Sequence, residues 1–243
     1  MVKLEVSFLV LFMEFAWAVK NRLYLLYLAL PIFFYFVAIS IQSLKNIPTP
    51  IYFLPSSIAL TFLLTALFVS YGFVQKGKSF WNLSKLTGSP TLYIYLGELF
   101  FSSLIAVLQS ILIFILIRLF SGIGGFGNLL LFLIASFLFN LLYTSLFLLI
   151  SLPSKFQPLT FLYYSLFLLL FSLFFSNLFF PIQSLPTYIR FFAYLNPLTY
   201  GIEGINEALG GKCLLPFSST FVFPTYYLML SLLSLYILAK KGD

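Results

Sequence analysis

Residues 129–151 read LLLFLIASFLFNLLYTSLFLLIS, and residues 159–180 read LTFLYYSLFLLLFSLFFSNLFF. Neither stretch carries a charged side chain. Each is as long as the roughly 20 residues a helix needs to cross the hydrocarbon core of a bilayer. Similar runs lie on either side: 23–43, which contains Pro31, then 54–74, 92–119 and 222–239. A membrane helix tolerates such a proline, because neighbouring helices can satisfy the freed backbone groups. These runs predict an all-α polytopic membrane protein with six transmembrane helices, forming a single domain over 1–243.

The whole composition agrees with that reading. Hydrophobic residues make up 62% of the 243-residue chain and charged residues 8%, where a soluble domain has about 45–50% and about 25%. Thirty-three phenylalanines on a water-exposed surface would aggregate; on lipid-facing helices they are tolerated. The net charge of +7 falls in the connections between apolar runs. It therefore points to membrane orientation rather than to nucleic acid. With six spans, Lys3, Lys20, Arg22, Lys76, Lys78, Lys85, Lys155, Lys240 and Lys241 share one side, and Lys45, Arg118, Arg190 and Lys212 the other. The basic excess places both termini in the cytoplasm of a multi-pass protein of the cell membrane. Cys213 is the single cysteine and excludes an intrachain disulfide.

Residues 1–22 do not read as a cleavable signal, since Glu5, Glu14, Lys20 and Arg22 interrupt them. Lys3, Ser7 and Glu14 fall on one side at helical spacing, with Phe8, Leu11, Phe12, Phe15 and Trp17 as apolar bulk. The segment predicts an interfacial helix lying along the membrane surface.

Two polar islands stand out. In 75–91, Phe80, Trp81, Leu83 and Leu86 give a short amphipathic helix an apolar side, with Lys78 and Lys85 at its edges. A helix of this kind suits a groove on a partner protein. Gly72, Gly77, Lys78 and Ser79 match the bare spacing of a phosphate-binding loop. The match lacks the strand before it and the α/β domain around it, so no nucleotide site is expected. In 181–210, Pro181, Pro186 and Pro197 cut the chain into pieces too short to span. Pro186 can start one short helix, and Asn196 can cap a second with Pro197 in its first turn. A re-entrant hairpin and a loop lying flat on the membrane are both compatible with this pattern. Glu203 and Glu207, four apart, are expected to face the outer aqueous side near Arg190. Histidine is absent and carboxylates are sparse, so neither a metal site nor a catalytic residue is expected.

The order of these features resembles the permease of an ABC-2 type ABC transporter, over nearly the full chain. The resemblance is sharpest at Pro181-Ile182-Gln183-Ser184-Leu185-Pro186 through Arg190, then Asn196-Pro197-Leu198-Thr199-Tyr200 and Glu203. In that family this stretch forms a re-entrant helical hairpin before the last span. The segment from Gly77 to Ser89-Pro90 resembles the family's cytoplasmic coupling helix. Gln75, Lys76, Lys78 and Asn82 stand where the family usually has Glu and Arg. The helix ending near Arg22, ahead of the run containing Pro31, is the third likeness.

The resemblance implies a subunit that pairs with a second permease, a copy or a homologue, and docks on a separate ATP-binding cassette subunit. ATP and Mg would be held by that partner and none in this chain. Phe80, Trp81, Leu83, Lys85 and Leu86 would carry the coupling contact. Pro186, Arg190, Asn196, Pro197, Tyr200 and Glu203 would shape the hairpin. Tyr35, Ser40, Ser57, Thr61, Thr65, Ser172 and Ser176 would line a path for an exported apolar or amphipathic substrate, since charge is nearly absent from the spans. Two other classes stay open: a membrane assembly protein without transport, and an ion-coupled secondary transporter. For either, Glu98, Arg118, Glu203 and Glu207 are the candidate residues, and no internal repeat of the kind secondary transporters show is visible.

Overall fold

A computed structural model describes residues 53–87, 91–120, 128–152, 157–178, 182–211 and 217–242, together with scattered positions between 7 and 37 that are helical. From residue 53 onward the elements are α1 Phe53–Thr87, α2 Thr91–Phe120, α3 Leu129–Ser151, α4 Pro158–Phe174, a single 3-10 turn Ile182–Ser184, α5 Thr187–Leu195, α6 Pro197–Ala208 and α7 Phe217–Gly242.

Six membrane spans are not found among the described residues. Among the described residues three helices are long and apolar enough to cross a membrane: Pro55–Lys76 within α1, Leu92–Leu116 within α2, and Leu129–Ser151, which is α3. The run 159–180, read as a fifth span, stops being helical at Phe174. Phe175 leaves helical geometry at φ −103° and ψ 38°, and Ser176–Leu178 bend away. The resulting 17-residue helix is about 25 Å long, short of the roughly 30 Å core of a bilayer. Hydropathy cannot detect this stop, because Leu178, Phe179 and Phe180 keep the run apolar beyond the turn. α7 carries Pro224 inside it and is not among the three. Of the expected span at 23–43 only residues 29, 32, 33, 36 and 37 are described, and these are helical. The orientation inferred from basic residues was counted on six spans, and the described residues do not test it.

The connection after 74 continues α1. It does not break the helix. α1 runs through it for 35 residues, about 52 Å at 1.5 Å per residue. None of the residues from 75 to 87 is a proline, so nothing in this stretch forces the backbone out of helical geometry.

α3 lies at the centre and packs against α1, α2, α4, α6 and α7. Its start is set by Asn128, whose Oδ1 accepts from the amides of Leu130 and Leu131 at 3.0 and 3.4 Å. This satisfies two of the free N–H groups at a helix start. Phe132, Phe139, Tyr143 and Phe147 bury their rings among the neighbouring helices, with Phe132 tilted on Phe114 of α2 at 5.9 Å. Lipid is as apolar as phenylalanine, so close packing and buried hydrogen bonds hold these helices together, rather than escape from water.

Those hydrogen bonds tie the bundle at three places. Ser102 of α2 donates to Asn140 Oδ1 of α3 at 2.6 Å and shares a 2.6 Å bond with Thr144, while Asn140 Nδ2 reaches the Phe62 carbonyl of α1 at 3.4 Å. Thr65 of α1 and Gln109 of α2 exchange bonds of 3.0 and 2.9 Å. Ser145 of α3 meets Ser231 of α7 at 2.6 Å. Ahead of the bundle, Ser7 donates to the Tyr93 carbonyl at 2.9 Å, and Val10 lies against Gly97, where a Cβ would meet it at 2.7 Å.

Candidate functional site: the helical hairpin and the end of α4

The most constrained polar region is where α4 ends and the α5–α6 hairpin folds against it. Asn196 separates the two short helices in an extended conformation (φ −87°, ψ 119°) and caps α6, its Oδ1 accepting from the Leu198 amide at 3.0 Å. Pro197 follows as the first residue of α6, where its missing N–H costs nothing. The same Asn196 side chain donates through Nδ2 to the Ser172 carbonyl at 2.9 Å and the Phe175 carbonyl at 2.8 Å. These carbonyls belong to the last turn of α4, where helices leave acceptors unpaired.

Two residues further on, Asn177 Nδ2 donates to Glu203 Oε1 of α6 at 2.8 Å. Glu203 is only 3% exposed. The expectation that it faces the outer water near Arg190 is therefore replaced by a carboxylate held inside the protein. Arg190 instead turns Nη2 to the carbonyls of Gln183 and Leu185 at 2.8 and 3.0 Å, bracing the turn before α5. Pro186 starts α5, its carbonyl accepting from the Arg190 amide at 2.9 Å. Tyr200 donates to the Tyr194 carbonyl at 2.6 Å, and Tyr227 of α7 to the Leu195 carbonyl at 3.1 Å. Burial raises the pKa of the Tyr200 phenol, with Tyr227 and Tyr194 adding to the shift, so it remains a neutral donor. Just beyond α6, Gly210 has a φ of 81°, open to glycine at little cost. This lets the Gly211 amide return to the Asn206 carbonyl at 2.9 Å.

Of the residues expected to line a path, Tyr35 and Ser40 lie outside the described residues. Ser57 is half-buried, and its carbonyl accepts from Thr61 at 2.9 Å. Thr61 and Thr65 are buried on α1, Thr65 facing Gln109. Ser172 and Ser176 are buried beside the hairpin. Phe80, Trp81, Leu83, Lys85 and Leu86 all fall on the last turns of α1, and their side chains lie outside the described residues. Gly72 to Ser79 are also helical. Their backbone amides are committed to the helix.

Reading the sequence missed Asn140, Gln109, Ser102, Thr144 and Asn177. The available signal was an amide or hydroxyl within an otherwise apolar run, which in a membrane helix must find a partner on another helix. Asn140 and Thr144, four apart, share a helix face. Among the described residues no group of three or more His, Cys, Asp or Glu could hold a metal ion.

No curated protein matches the chain. The family model described as ABC-2 type transporter matches residues 42–209, from before α1 to just beyond α6. With three membrane-length helices, and with more than half of its length matched, the chain is a multi-pass membrane protein that belongs to the ABC-2 type transporter family.

Proposed function

We propose that this protein is the membrane-embedded permease subunit of an ATP-driven exporter, working with a second permease and a separate ATP-binding cassette subunit. Permease domains of the ABC-2 type are non-catalytic transport subunits, and the family generally partners in this way. ATP and Mg then belong to the partner, where hydrolysis takes place.

The observation that carries the coupling part of this reading is the unbroken α1 helix. It joins a membrane-length stretch, Pro55–Lys76, to the segment holding Phe80, Trp81, Leu83, Lys85 and Leu86. A rigid rod delivers a push on its far end to the membrane, where a flexible loop would absorb it. In this reading the end of α1 faces the cytoplasm, and the helix near residues 1–22 flanks the same partner.

The pairing part is supported by α4. Leu159, Tyr163 and Phe167 recur every four residues along it, at 83%, 74% and 73% exposure, and Phe174 continues the stripe. This apolar face has no partner among the described residues and suits a second permease. An apolar or amphipathic substrate fits the lack of charge along the helices.

Cysteines placed at Tyr163 and Phe167 in a Cys213→Ser background test the pairing in native membranes. Efficient oxidative cross-linking between copies, or to a homologous permease carrying the same change, is the expected result. Labelling of both positions by a lipid-soluble maleimide, with no cross-link, would exclude α4 as the pairing face.

A further inference from the structure

Asn196 does two jobs with one side chain. Its oxygen caps α6. Both hydrogens of its amide nitrogen are spent on carbonyls of another element, Ser172 and Phe175 at the end of α4. The side chain is fully buried, so water does not compete for these bonds. Every strong donor of the Asn196 amide is thus satisfied, and two acceptors orphaned by the early stop of α4 are satisfied with it. Nothing about capping alone requires this. Serine or aspartate caps about as well as asparagine, but neither offers two N–H donors.

We infer that Asn196 is a positioning residue that locks the broken end of α4 to the hairpin, so that α4, α5 and α6 move as one body when the permease changes shape. The inference rests on the permease reading and deepens it. A lock at this point ties the exposed face of α4 to the hairpin. Whatever displaces the hairpin then displaces that face. Phe175 packing on Phe192 of α5 at 5.2 Å adds contact without direction. The Asn177–Glu203 bond holds α6 near α4 independently, so loss of the Asn196 donors loosens the joint without dismantling it.

The variants that separate the two jobs are Asn196→Asp and Asn196→Ser. Both keep an oxygen for the Leu198 amide and lose both donations to α4. Asn196→Ala loses the cap as well. The full-length protein in nanodiscs, with Cys213→Ser and nitroxides on exposed positions Leu170 of α4 and Tyr188 of α5, reports the joint by electron–electron distance measurement. A second pair at Leu104 of α2 and Ile134 of α3 serves as the control.

The lock predicts a narrow α4–α5 distribution in the parent protein. In both the Asp and the Ser variant it predicts a separated population raised roughly tenfold, as expected for two lost neutral hydrogen bonds inside a membrane protein. The control pair stays unchanged. A distribution as narrow as the parent's in both variants, with broadening only in the Ala variant, would reduce Asn196 to a helix cap and overturn the inference. Should the Asp variant fail to fold, the Ser variant decides between the same two outcomes. Failure of the lock leaves the permease reading intact, because that reading is judged by the partner that co-purifies and not by these distances.

Discussion

α6 approaches α3 so closely that one glycine sets the spacing. A Cβ on Gly201 would collide with the ring of buried Phe139, meeting Cδ1 at 2.5 Å and Cζ at 2.8 Å. Gly201→Ala therefore brings two opposing effects. Alanine favours the helix over glycine by about 1 kcal/mol. Forcing a methyl into a filled core costs about 1–3 kcal/mol, and the Phe139 ring has little room to yield because it is nearly fully buried. The expected net effect is a destabilisation of about 0–2 kcal/mol, too ambiguous to interpret alone. A double-mutant cycle removes the ambiguity. Phe139→Leu takes away the ring and costs about 1–3 kcal/mol by leaving space. In the double variant the new methyl enters that space, so the pair should be more stable than the sum of the singles by about 1–3 kcal/mol. The assay is equilibrium unfolding in mixed micelles, followed by far-UV circular dichroism for all four proteins. A Gly201→Ala protein more stable than the parent by the full propensity gain, with no coupling to Phe139, would refute the close approach of α6 to α3.

Three further outcomes follow from the buried contacts. Asn140→Leu should cost only about 1 kcal/mol in the same unfolding assay, because Ser102 and Thr144 still satisfy each other at 2.6 Å, whereas Asn140→Ala adds a cavity and should cost about 2–3 kcal/mol. Thr65→Val and Gln109→Leu should show a coupling of roughly 0.6 and at most about 1.7 kcal/mol in a cycle, the range for hydrogen bonds between membrane helices; additive effects would mean that the reciprocal pair is absent in the membrane. Gly97→Ala should push Val10 off α2 and weaken the Ser7 bond to Tyr93, seen as faster amide exchange around Ser7–Val10 with the rest of the protein unchanged.

The sequence made some of this legible and concealed the rest for definite reasons. Composition and uncharged runs near 20 residues identified a membrane protein, because lipid imposes an overall requirement on any helix that crosses it. The start of α6 was readable at Asn196-Pro197, where capping chemistry is local. The stop of α4 was not. Ser176 and Asn177 sit in a run that stays apolar on both sides, and the turn is held by Asn196, some twenty residues away in the chain. Span counting from hydropathy therefore overshot. The continuity of α1 was obscured in the opposite way, since polar residues from Gln75 onward looked like a connection while including no proline to end the helix. Glu203 was read as facing solvent because carboxylates usually do, and its partner Asn177 gave no sign of itself in an apolar run.

We propose that this permease works on a separate ATP-binding subunit reached through the end of α1. Purification of the tagged protein from native membranes in mild detergent, with an ATPase assay of what co-purifies, tests it most directly. A nucleotide-binding partner and vanadate-sensitive hydrolysis are expected, both lost when Trp81 and Leu83 are changed to glutamate while the permease itself remains folded. A stable, folded particle with no nucleotide-binding partner, or a partner retained undiminished by the Trp81→Glu and Leu83→Glu variant, would contradict it.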